Sequence, residues 1–233
     1  MLINRTNISK FKAILSEKKI SACQTNLTVN WNKKALLPSF QDKDTTFCKI
    51  DCTLTITIPS GNEDEFEHIF SDLCSIVEDC VLNFDNINLN YKAYISDIST
   101  PTRITNWDWE VTFSWIGYKF EEEVMETINR VTSKTITANG NLKTPCIVEI
   151  TPIIDMIDLT ITGLSEDPII VKNLKGNKTI IIDCIEGTVL QEGENKFADT
   201  DMWEFPFLVP GTNTITVNKD TCIITIKYNP RFI

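Results

Sequence analysis

Apolar and polar residues alternate with a period of two over several stretches of the chain. Cys48, Ile50, Cys52, Leu54, Ile56 and Ile58 fall on one parity, and Lys49, Asp51, Thr53, Thr55 and Thr57 on the other. That pattern predicts a half-buried strand over 48–58. Trp107, Trp109, Val111, Phe113 and Trp115 repeat it against Asp108, Glu110, Thr112 and Ser114, and Ile87, Leu89, Tyr91, Ala93 and Ile95 share a further strand face. Residues 23–31 alternate Cys23, Thr25, Leu27, Val29 and Trp31 with polar neighbours, which predicts a strand ahead of a polar loop containing Pro38. The period changes after Ser60-Gly61-Asn62. There Glu63, Asp64 and Glu65 suit the first turn of a helix, and Phe66, Ile69, Phe70, Leu73, Ile76, Val77 and Cys80 follow at helical spacing. This is the one clear helix, near 63–80. Lys119–Arg130 suits either a short charged helix, with Phe120, Val124 and Ile128 on one side, or a pair of strands.

The turn residues Asn139-Gly140-Asn141, followed by Pro145, predict a domain junction near Asn141, dividing the chain into 1–141 and 142–233. Beyond it the pattern resolves into short strands at 146–151, 157–162, 169–171, 179–184, 188–191, 214–217 and 222–228. Turn residues such as Glu186-Gly187 and Asn218-Lys219-Asp220 separate them. Regularly spaced short strands imply a β-sandwich. The fold class is therefore mainly β with one clear helix: an α+β N-terminal domain and a C-terminal β-sandwich.

A hydrophobic share of 42% and a charged share of 23% are too apolar for a disordered chain, and 233 residues suffice for two modest cores. The net charge of -10 is shared between the halves: 14 Lys+Arg against 19 Asp+Glu in residues 1–140, and 8 against 13 in the rest. With no basic cluster to displace phosphate counterions, specific nucleic-acid binding is not expected. Acidic charge repels DNA instead. No apolar run approaches the roughly 18 residues of a membrane helix, so no membrane partner is expected. The first twenty residues, broken by Asn4, Arg5, Lys10, Lys12 and Lys18, lack the apolar core of an export signal. Synthesis in the cytoplasm follows, and the glycosylation-like triplets at Asn4, Asn7, Asn26 and Asn177 then carry no meaning.

Eight cysteines in such a chain are expected to be reduced. Parity places Cys48, Cys52, Cys146, Cys184 and Cys222 with core residues. Spacings of Cys48-x3-Cys52 and Cys74-x5-Cys80, with His68 the sole histidine, do not make a zinc site. There is no G-x-S-x-G, phosphate loop or G-x-G-x-x-G. His68 reads as a solvated helix position, and Glu121-Glu122-Glu123 as a solvated face. No catalytic residue, metal or cofactor is expected, so the chain does not read as an enzyme. Because no basic residues interleave with the Trp107–Trp115 row, it reads as a core face or a subunit contact rather than a stacking platform for bases or sugars.

The C-terminal stretch carries Asp183, Gly187, Phe205-Pro206, Pro210-Gly211, Asn213, Ile215, Tyr228 and Pro230-Arg231 as an ordered set. As a set they resemble the C-terminal region of distal tail (Dit) proteins from siphophages of Gram-positive bacteria. The run from Gly140 to Ile150 is similar to that family's domain junction, and Asn7 to Ala13 to its start. The resemblance implies a virion structural protein of the bacteriophage tail tip or baseplate. In it a hexameric ring forms through the N-terminal domain, and the C-terminal sandwiches are galectin-like. Such a ring links the tail tube to a hub or fibre protein around a DNA channel, so the implied partners are further copies of the chain, tube and hub. The motif residues are expected to be structural, with Pro210-Gly211 in a tight turn and Pro230 at a strand end. Trp203 and Phe205 are expected in the sandwich core. The rival reading is a carbohydrate-binding module of a host-attachment apparatus. It is weakened because the C-terminal domain lacks the long insertion that carries sugar-binding modules in some relatives. A contractile tail or a phage-derived bacteriocin of the same architecture is a third.

Overall fold

A computed structural model of the chain describes residues 1–23, 25–30, 39–45 and 47–233, with the backbone alone for 25–30 and 39–45. Trp31 and the expected Pro38 loop lie outside the described residues. The chain divides into two compact units, Met1–Phe120 with Ile233, and Glu121–Phe232.

In the first unit the elements run β1 (Leu2–Ile3), β2 (Thr6–Asn7), β3 (Ala13–Ile20), β4 (Thr25–Asn30), β5 (Ser39–Thr45), β6 (Cys48–Thr57), α1 (Glu63–Val77), β7 (Asp79–Asn83), β8 (Asn90–Ile98), β9 (Thr102–Arg103) and β10 (Asp108–Phe120). The main sheet has the order β2-β1-β7-β8-β10-β6-β3, with β9 also on β10, while β4 and β5 form a separate antiparallel pair. The period-two reading of 48–58 holds: Cys48, Ile50, Cys52, Leu54 and Ile56 are all fully buried. So does that of β10, where Trp109, Val111, Phe113 and Trp115 face inward. Each such side chain contributes about 1.5–3 kcal/mol by leaving water.

The helix α1 covers this inner face. Its N-cap is Asn62, whose side chain accepts the Asp64 N–H at 2.9 Å, and Glu63, Asp64 and Glu65 occupy the first turn. Phe66 stacks on Trp109 with centroids 4.8 Å apart, and Phe70 lies 6.4 Å from Phe113. The helix stops short of the expected residue 80. Trp115 Nε1 donates to the Val77 carbonyl at 2.9 Å, satisfying an orphan helix-end acceptor, and Cys80 is buried as part of β7. Gly117 is required where β10 meets β8, since a Cβ there would sit 2.2 Å from the Lys92 carbonyl oxygen.

The second unit holds β11 (Val124–Asn129), β12 (Ser133–Ala138), β13 (Thr144–Pro152), β14 (Met156–Thr162), β15 (Ile169–Leu174), β16 (Ile180–Asp183), β17 (Thr188–Gln191), β18 (Glu194–Asn195), β19 (Thr200–Asp201), β20 (Phe207–Leu208), β21 (Gly211–Val217) and β22 (Cys222–Tyr228). One sheet has the order β11-β22-β13-β16-β17-β18, with β20 on β13, and the other β12-β21-β14-β15-β19. Their inward residues, among them Val148, Ile182 and Ile224 from the first and Leu159, Val171 and Ile215 from the second, share one core. This is the expected sandwich.

Of the two readings open for Lys119–Arg130 the strands hold: β10 runs to Phe120, and β11 and β12 pair with β22 and β21. The units therefore divide between Phe120 and Glu121 rather than near Asn141. The Asn139-Gly140-Asn141 turn joins β12 to β13 within the second unit, where Asn141 N–H bonds the Arg231 carbonyl at 3.0 Å.

Candidate functional site

The sheet of the first unit has one covered face and one open face. On the open face, β6 presents Lys49, Asp51, Thr53, Thr55 and Thr57, and β10 presents Asp108, Glu110, Thr112 and Ser114. Register aligns them, since Thr112 is opposite Thr53 and Glu110 opposite Thr55. The hydroxyls pair with one another or with acids. Thr53 and Thr112 Oγ1 atoms are 3.0 Å apart, Ser16 and Thr55 hydroxyls 2.6 Å apart, and Thr57 Oγ1 donates to Asp108 Oδ1 at 2.7 Å. Asp51, Asp108 and Glu110 are the acids of this surface, and its threonine hydroxyls find partners in one another, in Ser16 and in Asp108.

Toward the C-terminal end of β10 the same face turns apolar. Ile116 and Tyr94 lie opposite each other, 39% and 45% exposed, and Phe47, 49% exposed, has its ring 6.2 Å from Tyr118. Lys92 Nζ lies 5.3 Å from the Tyr94 ring. Together Phe47, Tyr94 and Ile116 give this end of the face an exposed apolar character. Of the aromatic row, only Trp107 is on the outside, 51% exposed; the others are core.

The motif residues of the second unit hold turns and strand ends. Asp183 Oδ1 accepts the N–H groups of Ile185 and Glu186 at 2.7 and 3.0 Å, and Gly187 follows with φ +66°. Pro210-Gly211 begins β21, Gly211 having φ +91°. Asn213, 5% exposed, ties that turn together: its Oδ1 accepts Val209 N–H at 2.9 Å, and its Nδ2 donates to the carbonyls of Val209 and Gly211 at 2.8 and 3.0 Å. The Pro206 carbonyl accepts Cys146 N–H at 3.1 Å, and the Pro230 carbonyl accepts Glu121 N–H at 2.9 Å. Tyr228 is buried opposite Cys146, and the Arg231 carbonyl holds Asn141. These motif residues are spread over several corners of the sandwich and line no common cleft.

Trp203 departs from expectation. It is 87% exposed, because its neighbours Met202 and Phe205 take the inward places and pack on the core. Phe205 is half-buried, with its ring 6.2 Å from Phe197. A groove of about 230 Å³ elsewhere in this unit is lined by Lys143, Ser165, Glu166, Phe207 and Asn213. Lys143 Nζ covers the Phe207 ring at 4.3 Å and lies 3.8 Å from Glu166.

The chemical groups weighed in the sequence are dispersed. His68 is an exposed helix residue, 3.9 Å from Asp64. Cys48, Cys52, Cys80 and Cys146 are fully buried, and burial pushes the Cys52 and Cys80 thiols up to about 12. Cys52 and Cys80 are thus core residues rather than nucleophiles or ligands. Among the described residues no group of three His, Cys, Asp or Glu is placed to hold a metal ion, and no helix is long and apolar enough to cross a membrane.

Residues 139–232 match the family model described as siphovirus-type tail component, C-terminal domain. The whole chain is similar in fold to the crystal structure of phage SPP1 Dit, described as a paradigm of the hub adsorption apparatus in phages infecting Gram-positive bacteria. The TM-score is 0.79 at 10% identity, covering 100% of this chain and 98% of that one. It is also similar to a chain of the phage P2 baseplate in its activated conformation with Ca, with TM-score 0.54, 11% identity and coverage of 97% and 94%. No curated protein matches the chain by sequence.

Proposed function

We propose, from the match of residues 139–232 to the siphovirus-type tail component model, that the protein is a non-enzymatic structural component of a phage or phage-like tail tip. In this reading six copies close into a ring that links the tail tube to hub or fibre proteins. The observation that carries it is the fold likeness to SPP1 Dit over the full chain, TM-score 0.79. The first unit forms the ring. Its open face suits a channel wall, because the acids Asp51, Asp108 and Glu110 repel a polyanion and the hydroxyls are engaged with one another. The apolar end around Phe47, Tyr94 and Ile116 suits contact with a neighbouring molecule.

Light scattering and electron microscopy of the purified protein, alone and with the tail-tube protein, test the proposal. Ring particles with sixfold symmetry are expected. A strictly monomeric chain that fails to join recombinant tail tips overturns it.

Exposure of Trp203 favours one second reading, a carbohydrate-binding role for the sandwich. The Phe207 groove of the same unit, at about 230 Å³, is below the roughly 300–1,000 Å³ of usual ligand pockets, and Lys143 occupies the ring face a sugar would stack on. A glycan array with saturable binding lost in Trp203→Ala promotes this second reading.

A further inference from the structure

Two thiols of the sandwich face each other across adjacent strands. In the antiparallel pair of β13 and β16, Val148 lies opposite Ile182 and Ile147 opposite Asp183. One step further along the register sets Cys146 against Cys184. Both fall on the inward parity, with Val148 and Ile182. The two differ in access: Cys146 is fully buried, whereas Cys184, the first residue past β16, is half-buried in the turn toward Gly187.

From this geometry we propose that Cys146 and Cys184 are a redox modification site, a dithiol that closes to a disulfide when the folded protein meets a small disulfide oxidant such as oxidised glutathione. Directly opposed residues of antiparallel strands hold their Cβ atoms roughly 4.5–5.5 Å apart. A disulfide needs about 3.8 Å, a closure of about 1 Å. The Cys146 side is fixed, its N–H bonded to the Pro206 carbonyl at 3.1 Å. The movement therefore falls to Cys184, which no strand pairing holds.

The steps balance without any other reagent. Cys184 loses its proton, and its sulfur attacks one sulfur of oxidised glutathione, expelling a glutathione thiolate and leaving a mixed disulfide. Cys146 then loses its proton, and its sulfur displaces the second glutathione thiolate from Cys184. The protein gives up two electrons and two protons, and two molecules of reduced glutathione form. Burial raises both thiols above their ordinary range, so closure is slow near neutrality. The covalent ring spans residues 146 to 184, encloses β14 and β15, and restricts the unfolded chain. Its use, stiffening a particle that leaves a reducing cytoplasm for an oxidising medium, rests on the tail reading above; the bond itself does not.

The full-length purified protein is incubated with oxidised glutathione, quenched in acid, unfolded and alkylated. The expected result is an intact mass short of two hydrogens, protection of two of the eight thiols, and a Cys146–Cys184 cross-linked peptide. Tm should rise by several degrees. The rate should climb close to tenfold per pH unit below the raised thiol range, as the Cys184 thiolate becomes more abundant. Cys184→Ser, at a turn position, should fold normally and lose protection, cross-link and Tm gain together. Eight alkylatable thiols after prolonged oxidation, or a cross-link joining other cysteines such as Cys23 and Cys48, overturns the proposal.

Discussion

The ring of Phe66 lies flat against the indole of Trp109, with centroids 4.8 Å apart and planes 13° from parallel, and the Arg103 guanidinium carbon lies 4.8 Å from that same indole. Through this contact the first turns of α1 are held to β10. Phe66→Ala should cost about 3–5 kcal/mol, the range for an emptied aromatic site. Phe66→Leu keeps most of the burial but loses the ring pair, worth about 0.5–1.5 kcal/mol by itself. Urea unfolding of both variants, followed by tryptophan fluorescence, gives the two numbers.

Gly117 and Gly211 should respond to alanine for different reasons. At Gly117 the added methyl meets the Lys92 carbonyl oxygen at 2.2 Å, so β8 and β10 must part, at about 1–3 kcal/mol. At Gly211 nothing lies within 4 Å, but φ of +91° remains disfavoured, at about 1–2 kcal/mol. Hydrogen exchange separates the two effects. Gly117→Ala should loosen the β8–β10 amides locally, whereas Gly211→Ala should lower global stability with the ladder intact.

Asn213→Ala removes the three hydrogen bonds by which this buried side chain holds an exposed turn, and should cost about 1–3 kcal/mol. Asn213→Asp should fare no better, since a carboxylate cannot donate to the carbonyls of Val209 and Gly211. Thr212→Ala, at an exposed neighbour, should stay within about 0.5 kcal/mol. Chemical denaturation midpoints decide the order.

The Asp199 carboxylate accepts from Lys196 Nζ at 2.8 Å and from Asn173 Nδ2 at 2.8 Å, and these bonds hold its pKa below the ordinary aspartate value. A lowered folded pKa means that the contribution is present above the unfolded value and is lost as pH falls through the folded one. Asp199→Asn should therefore lower Tm at neutral pH, and the gap to the parent should close in acid below the carboxylate range. A gap that persists unchanged in acid removes the ion pair as its cause.

Strands buried on one side were legible because alternate residues meet different solvents: 48–58 and 107–115 each carry apolar residues on one parity only. The strand Ala13–Ile20 left no such trace. It lies at the edge of the sheet with Ala13 its only buried residue, and Glu17, Lys18 and Lys19 are exposed along it. Val124–Asn129 was ambiguous for the same reason, since Ile128 alone is buried there. Trp203 was misplaced because hydrophobicity ranks it as core, while the local chain turns Met202 and Phe205 inward instead. The open hydroxyl face was legible only strand by strand, because it forms once β3, β6 and β10, separated in the chain by other elements, stand side by side.

The turn residues Asp183, Gly187, Gly211 and Asn213 each answer a demand that few side chains can meet: a backbone donor to accept, a positive φ, a buried amide to hold. The inward strand positions demand only a nonpolar group of roughly fitting volume, and Cys, Val, Ile and Leu all serve there. Mutational drift in such a molecule is therefore uneven. Substitutions should be tolerated widely along the strands and rarely at the corners, and a chain built this way can share one tenth of its residues with another and still trace nearly the same path.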